Sequence, residues 1–428
     1  MDVVNDYVQH LQASGSYPDK FICHRKQGNL VEIEEASTGK YRKVLTFCTN
    51  DVLGLAQADS VKQAAIDAIS HYGTSNSSCS VLSGRIDLHR QLETEISAFK
   101  HLPHTHLFLN AWMALQALMD GFCHLAMPVP GFEHTRETLI FTDVLNHGCI
   151  ISAVMNASNR SGKMFNHGPK VRVKAYRHCD MDDLARKLRH YVRPNDRIMV
   201  ISDAVFSMDG DIVPLPRMLD VLAEYPGSVV VMDEAHASGA IGPKGKGIYD
   251  HFGISPQSVL QQGMVPIIMT TFSKFAGSAG AAISAPNREL IDLLDVSPTS
   301  IGTISLPPPV TAAALESIRQ VRRHPEMVEQ LQTNTRYLRS QLSQAGFDAI
   351  GETNVIPVIL PPELSPKAFA RCLMEEHGLW VSAIWFIAKP RLRITANALH
   401  TQTEMDSLVA AMVAVREKLS GSVVQYTA

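Results

Sequence analysis

Val229-Val-Val-Met-Asp-Glu-Ala-His-Ala-Ser-Gly239 reads as a short buried strand that ends in an aspartate and runs into a turn. The apolar run is too short for a helix, is β-branched and is closed by Gly239, which is the pattern of a strand inside a sheet. Forty-one residues after Asp233, Met269-Thr-Thr-Phe-Ser-Lys-Phe-Ala-Gly277 repeats the form, with Lys274 beyond the apolar run. Around these lie further strand candidates at Leu139–Thr142, Arg197–Asp203 and Ala281–Ser284. Helix-like segments such as Asp182–Tyr191 and Pro216–Glu224 separate them, with apolar positions at three- and four-residue spacing. This alternation predicts an α/β domain with a mostly parallel central sheet, whose ligand-facing loops leave the carboxyl ends of the strands. Asp203 and Asp233 both stand at such ends.

Ser305-Leu-Pro-Pro-Pro309 interrupts the alternation, and a helical run follows from about Val310 to Ala345. Strand candidates at Val355–Leu360 and Arg391–Thr395 and a closing helix near Thr403–Leu419 then predict a smaller α+β domain. The expected organisation is an N-terminal arm over 1–44, a large domain over 45–305 and a small C-terminal domain with its connecting helix over 306–428. Met127–Glu133 and Asn166–Lys170 are expected to be loops.

Of the 428 residues 45% are hydrophobic, enough for a large core, and the net charge of −3 leaves no footprint for nucleic acid or an acidic membrane. The seven cysteines show neither CxxC nor Cys/His metal spacing, so reduced thiols in a cytosol are expected, with no disulfide and no metal site. No apolar run reaches the ~20 residues of a spanning helix, and Met1–Gln12 lacks the basic start and apolar stretch of a signal peptide. The expectation is a soluble, cytoplasmic protein acting on small molecules.

A strand-end aspartate is by default a turn residue, and an isolated loop lysine a solvated charge. Together, with Thr271 and Ser273 beside Lys274, they suit another chemistry. Hydroxyls and backbone N–H groups bind a phosphate while the amine forms an imine with an aldehyde cofactor. A carboxylate on the cofactor's ring nitrogen keeps that nitrogen protonated, so that the ring serves as an electron sink.

Six segments in order carry a resemblance: Thr49-Asn-Asp-Val-Leu-Gly-Leu55, Val205-Phe-Ser-Met-Asp-Gly-Asp211, Met232-Asp-Glu-Ala-His-Ala-Ser-Gly239, Thr271-Phe-Ser-Lys274, Ser305-Leu-Pro-Pro308 and Arg391-Leu-Arg-Ile-Thr395. From about residue 45 to 420 the chain resembles the α-oxoamine synthases, fold type I enzymes dependent on pyridoxal 5′-phosphate, with the aspartate aminotransferase-like architecture. The resemblance implies that Lys274 bears the cofactor, Asp233 its ring nitrogen, and His236 its phenolic oxygen. It further implies that His147, in Asp143-Val-Leu-Asn-His-Gly148, stacks on the ring and that Ser207 lies near the cofactor oxygen. Thr271 and Ser273, the Asn110-Ala111-Trp112 turn and, from a neighbouring subunit, Thr303 are implied around the phosphate. Asn50 and Arg393 are implied for the amino acid's carboxylate, with Arg391 a competitor, since an arginine fork suits a carboxylate.

The implied reaction condenses an α-amino acid with an acyl thioester, on coenzyme A or an acyl carrier protein, and loses carbon dioxide to give an α-aminoketone. A homodimer with shared active sites is implied as well. Alternatives are another fold type I reaction, transamination or C–C cleavage, and a non-catalytic partner subunit. Val52 stands where the family has an aromatic residue, and Gly73-Thr-Ser-Asn-Ser-Ser-Cys-Ser-Val-Leu-Ser-Gly84 replaces its glycine-rich turn. Both departures bear on the acyl end of the site and leave the two substrates open.

Overall fold

The computed structural model describes residues 1–14, 17–124, 136–160, 170–385 and 388–426. The loops expected over 127–133 and 166–169 lie outside these. The chain divides into two compact units, residues 50–332 and, together, 1–49 with 333–428. This division runs elsewhere than the boundaries read at 44/45 and 305/306, for two physical reasons. The N-terminal segment folds into antiparallel strands β1 (Phe21–Gln27), β2 (Leu30–Glu35) and β3 (Lys40–Thr46). Parallel pairing of β3 with a strand at Leu379–Trp380 ties it by backbone hydrogen bonds to the C-terminal part. The helix Pro308–Arg323, opened by the proline-rich turn, packs instead on helices Asp59–Tyr72 and Asp87–Lys100 of the larger unit. The helical run read to Ala345 is also two helices, Pro308–Arg323 and Glu326–Gln344. Pro325 removes an N–H donor and keeps His324 out of helical backbone, which ends the first of them.

Seven strands form the central sheet: β4 (His104–Phe108), β5 (Thr138–Asp143), β6 (Val171–Tyr176), β7 (Arg197–Asp203), β8 (Val229–Asp233), β9 (Val265–Thr271) and β10 (Ala281–Ala285). Their order is β4-β10-β9-β8-β7-β5-β6. All neighbours are parallel except β10, which runs antiparallel to both β9 and β4. The sheet is therefore mixed, mostly parallel, and the carboxyl ends of β4 to β9 open on one edge. Strands β5, β7 and β8 are apolar throughout their centres because helices cover both faces. The smaller unit completes its own sheets with β11 (Asp348–Ala349), β12 (Val355–Ile359), β13 (Leu379–Trp380), β14 (Ser382–Ile384) and β15 (Arg391–Thr395), in orders β1-β2-β3-β13 and β11-β12-β15-β14. Among the described residues no helix is long and apolar enough to cross a membrane.

The turn after β8 is set by a buried ion pair. Lys100 Nζ meets Glu234 with both side chains fully buried, and donates to Ser238 Oγ at 2.6 Å and the Lys246 carbonyl at 2.7 Å. Glu234 Oε1 accepts the Ile248 N–H at 2.9 Å, so both charges are satisfied. Removing one member of such a pair strands a buried charge. Lys100→Met is thus expected to cost about 3–5 kcal/mol of stability, read as a drop in the urea midpoint at unchanged slope.

Candidate active site

Asp233 and Asp203 end neighbouring strands directly in register. Asp233 is 2% exposed; its Oδ1 accepts the Ala235 N–H at 2.9 Å and its Oδ2 lies 3.9 Å from Cys149 Sγ. Burial pushes its pKa up to about 6, while the positive charge of Lys274 pulls the other way. Asp203 is held well above the carboxylate range, first by burial and then by the charge of Asp233. Its Oδ2 accepts the His147 N–H at 2.7 Å, and its own N–H donates to Asn146 Oδ1 at 2.8 Å. Asp203 was noted from sequence only as a strand end, with no site role assigned, although Arg197–Asp203 has the same form as Val229–Asp233.

His147 follows the turn after β5. The Cys149 N–H donates to its Nδ1 at 3.2 Å, and Cys149 Sγ lies 2.8 Å away, so a neutral ring carries its proton on Nε2. Desolvation, and then the charge of Lys274, lower its pKa, which favours that neutral form. The Trp112 ring meets it edge-on at 6.5 Å. Asn110 caps the helix Ala111–His124, its Oδ1 accepting the Met113 N–H at 3.0 Å and its carbonyl the Ala114 N–H at 3.1 Å. Ala111 is in helical backbone, so alanine meets no strain there, and the first N–H groups of the helix point outward from its start.

Lys274 sits half-buried on a tight turn closed by the Gly277 N–H to its carbonyl at 3.1 Å. Two glycines set that turn. Gly239, at φ +74°, would place a Cβ 2.3 Å from Cβ of Phe275, and Gly277, at φ +56°, one 2.3 Å from the Ala56 nitrogen. The two stretches that decided the fold therefore meet where only glycine fits. Thr271 is buried, with Oγ1 3.0 Å from Ser273 Oγ and donating to the Gly280 carbonyl at 3.1 Å. Ser207 and His236, both half-buried, lie in the turns that follow β7 and β8.

Asn110, His147, Ser207, Asp233, His236, Thr271 and Lys274 thus all fall at one edge of the central sheet. Thr303 follows the short helix Pro298–Ile301, donates to the Thr299 carbonyl at 2.9 Å, and lines a pocket with Leu109 and Met113, on either side of Asn110. Asn50 is exposed in the larger unit, with its carbonyl on the Val52 N–H, and Val52 is buried in the core. In the smaller unit Arg393 is buried on β15, with Nη1 on Thr395 Oγ1 at 3.3 Å, and burial lowers its pKa to about 10. Arg391, on the same face, donates from Nε to the Lys389 carbonyl at 2.8 Å.

Comparison with known proteins decides the lineage. The family model described as aminotransferase class I and II matches residues 42–412. An 8-amino-7-oxononanoate synthase of Symbiobacterium thermophilum is 33% identical over 88% of this chain and 90% of its own length. The chain belongs to the class I and II aminotransferase family, on its α-oxoamine synthase branch. Among solved structures, serine palmitoyltransferase of Sphingomonas wittichii aligns with a TM-score of 0.83 at 22% identity, covering 98% of both chains. That of S. paucimobilis with bound pyridoxal phosphate and myriocin aligns at 0.82, also at 22% identity and 98% of both chains. At such identity these two show the fold of an α-oxoamine synthase.

The site residues suit the family's cofactor, pyridoxal 5′-phosphate. A buried carboxylate beside a lysine could accept a ring N–H, a lysine on a glycine-locked turn could offer an amine, and an open helix start with nearby hydroxyls suits a phosphate. Asp233 also gives the cofactor-free protein a pH signature. Its folded pKa of about 6 lies above the ordinary carboxylate value of about 4, so the folded state binds that proton more tightly. Its contribution to stability is greatest below the ordinary value and falls as pH rises through 6. Without cofactor, wild type is therefore expected to lose stability relative to Asp233→Asn between about pH 4 and 6, read from urea midpoints.

Proposed function

We propose that Lys274 moves the substrate proton in the reaction of this α-oxoamine synthase, the decarboxylative condensation of an α-amino acid with an acyl thioester. The observation that carries the reading is the turn that holds Lys274 where its charge acts on Asp233, Asp203 and His147 together. Pyridoxal 5′-phosphate, when bound, supplies an aldehyde for amines and a ring that takes up electrons from the substrate's α-carbon. Lys274 Nζ would take the substrate's α-proton and return it. Asp233, ionised by the cation it faces, holds the ring N–H. The neutral His147 ring packs on the cofactor, and His236 and Ser207 donate to its phenolic oxygen. The N–H groups of Ala111 and Trp112 with the Thr271 and Ser273 hydroxyls hold the phosphate, with Asn110 capping that helix. Asn50 and Arg393 are proposed, on the resemblance alone, for the substrate carboxylate. A homodimer that brings Thr303 to a neighbour's phosphate belongs to the same proposal. It is supported by the exposed apolar side chains of Leu82, Ile301 and Ile304.

The test supplies the cofactor-loaded enzyme with a panel of amino acids and acyl thioesters, on coenzyme A and on a carrier protein, and follows free thiol and carbon dioxide. Release of the two in equal amounts supports the condensation. A 2-oxo acid formed without thiol would assign transamination, and silence with every pair would favour a non-catalytic subunit.

A further inference from the structure

One imidazole outside the proposed cofactor contacts joins two of the turns that carry them. His178, in the turn after β6, places Nδ1 3.1 Å from Asp143 Oδ1 and Nε2 2.6 Å from Asp211 Oδ2. A neutral imidazole donates from one nitrogen only, so a ring held between two carboxylates is an imidazolium. Burial opposes that charge, and the hydrogen bonds to Asp143 and Asp211 outweigh it, raising the pKa to about 12.

Each carboxylate in turn sets a segment of the site. Asp143 Oδ1 accepts the Leu145 N–H at 2.8 Å, fixing the turn that delivers Asn146 and His147, and its Oδ2 accepts the Cys179 N–H at 2.8 Å. Asp211 closes the turn that carries Ser207: its carbonyl accepts the Phe206 N–H at 3.1 Å, and Val205 bridges Ile212. Phe206, next to Ser207, meets the His178 ring edge-on at 4.4 Å and 86°. Asp143, His178 and Cys179 also lie close enough to hold a cation. Both ring nitrogens and both Asp143 oxygens are already engaged in hydrogen bonds, which marks the cluster as an ion-pair clamp.

We propose that His178 is a positioning residue for the reaction. Its imidazolium locks the His147 turn through Asp143, and the Ser207 turn through Asp211 and Phe206, into the one setting that receives the cofactor. Strands β5 and β7 are hydrogen-bonded neighbours whose ladder ends before these turns begin; beyond it the bonds of Asn146 and Asp203 hold the His147 turn to β7, and the clamp adds the tie from the His147 turn to the Ser207 turn. The proposal rests on the roles given above to His147 and Ser207.

The experiment compares wild type, His178→Gln, His178→Ala and Asp211→Asn by titrating cofactor-free protein with pyridoxal 5′-phosphate, and by visible circular dichroism of the loaded protein. Phe369→Ala, which opens a cavity in the apolar core of the smaller unit, serves as a control that weakens the fold elsewhere. With the clamp broken, the cofactor's dissociation constant is expected to rise about 10-fold or more, and its dichroic band to weaken beyond anything seen in the control. His178→Gln keeps one donor and should fall between His178→Ala and wild type. If the His178 variants lose melting temperature but bind cofactor with wild-type affinity and dichroism, the residue is merely structural and the proposal fails. Should His178→Ala not fold, His178→Gln and Asp211→Asn give the same readouts. A wild-type protein that binds no cofactor would instead overturn the site reading, a result distinct from failure of the clamp.

Discussion

Lys274→Ala is expected to lower turnover by about 10³-fold or more while leaving the fold intact. The lysine side chain is half-buried, and its turn is held by neighbours that the substitution leaves in place: the Gly277 N–H, the buried Phe275 and the close approach of Gly239. What disappears is an amine that both anchors the cofactor and carries the proton. Steady-state rates, the visible spectrum and size-exclusion behaviour together check this. A wild-type rate in Lys274→Ala would remove Lys274 from the chemistry, and partial recovery with added small amines would strengthen its role as the base.

The second large effect separates two carboxylates that look alike. Asp233→Asn is expected to reduce turnover by about 10²–10³-fold, because a neutral amide cannot keep the ring nitrogen protonated. Asp203→Asn should stay within about tenfold. Burial, and then the charge of Asp233, push the Asp203 carboxyl up and favour the neutral acid, and an amide oxygen can still accept the His147 N–H. The measurement is turnover with cofactor occupancy at saturating pyridoxal 5′-phosphate. If Asp203→Asn proved the more damaging, the ionised member of the pair would have to be reassigned.

Much of this site is legible in the sequence itself. A run of apolar residues ending in Asp233, and another followed by Lys274, can only be strands of a covered sheet, and their loops leave at its carboxyl edge. His147 and Ser207 came from matching motifs rather than from periodicity, since a histidine at a helix start has no pattern of its own. Pro325 stood in plain view, and the break it makes between Pro308–Arg323 and Glu326–Gln344 was readable from its chemistry alone.

The linear sequence by itself therefore determined the strands that carry Asp203, Asp233 and Lys274 and the chemical types at their ends, because burial and backbone propensity act locally. Only the tertiary structure decided the rest. The antiparallel sense of β10, the joining of residues 1–49 with 333–428, and the meeting of Asp203 with Asp233 depend on which edges pair across long separations. The clamp of His178 between Asp143 and Asp211 has the same origin. Those pairings are chosen by hydrogen bonds and charges between residues dozens to hundreds of positions apart, and no local pattern encodes them.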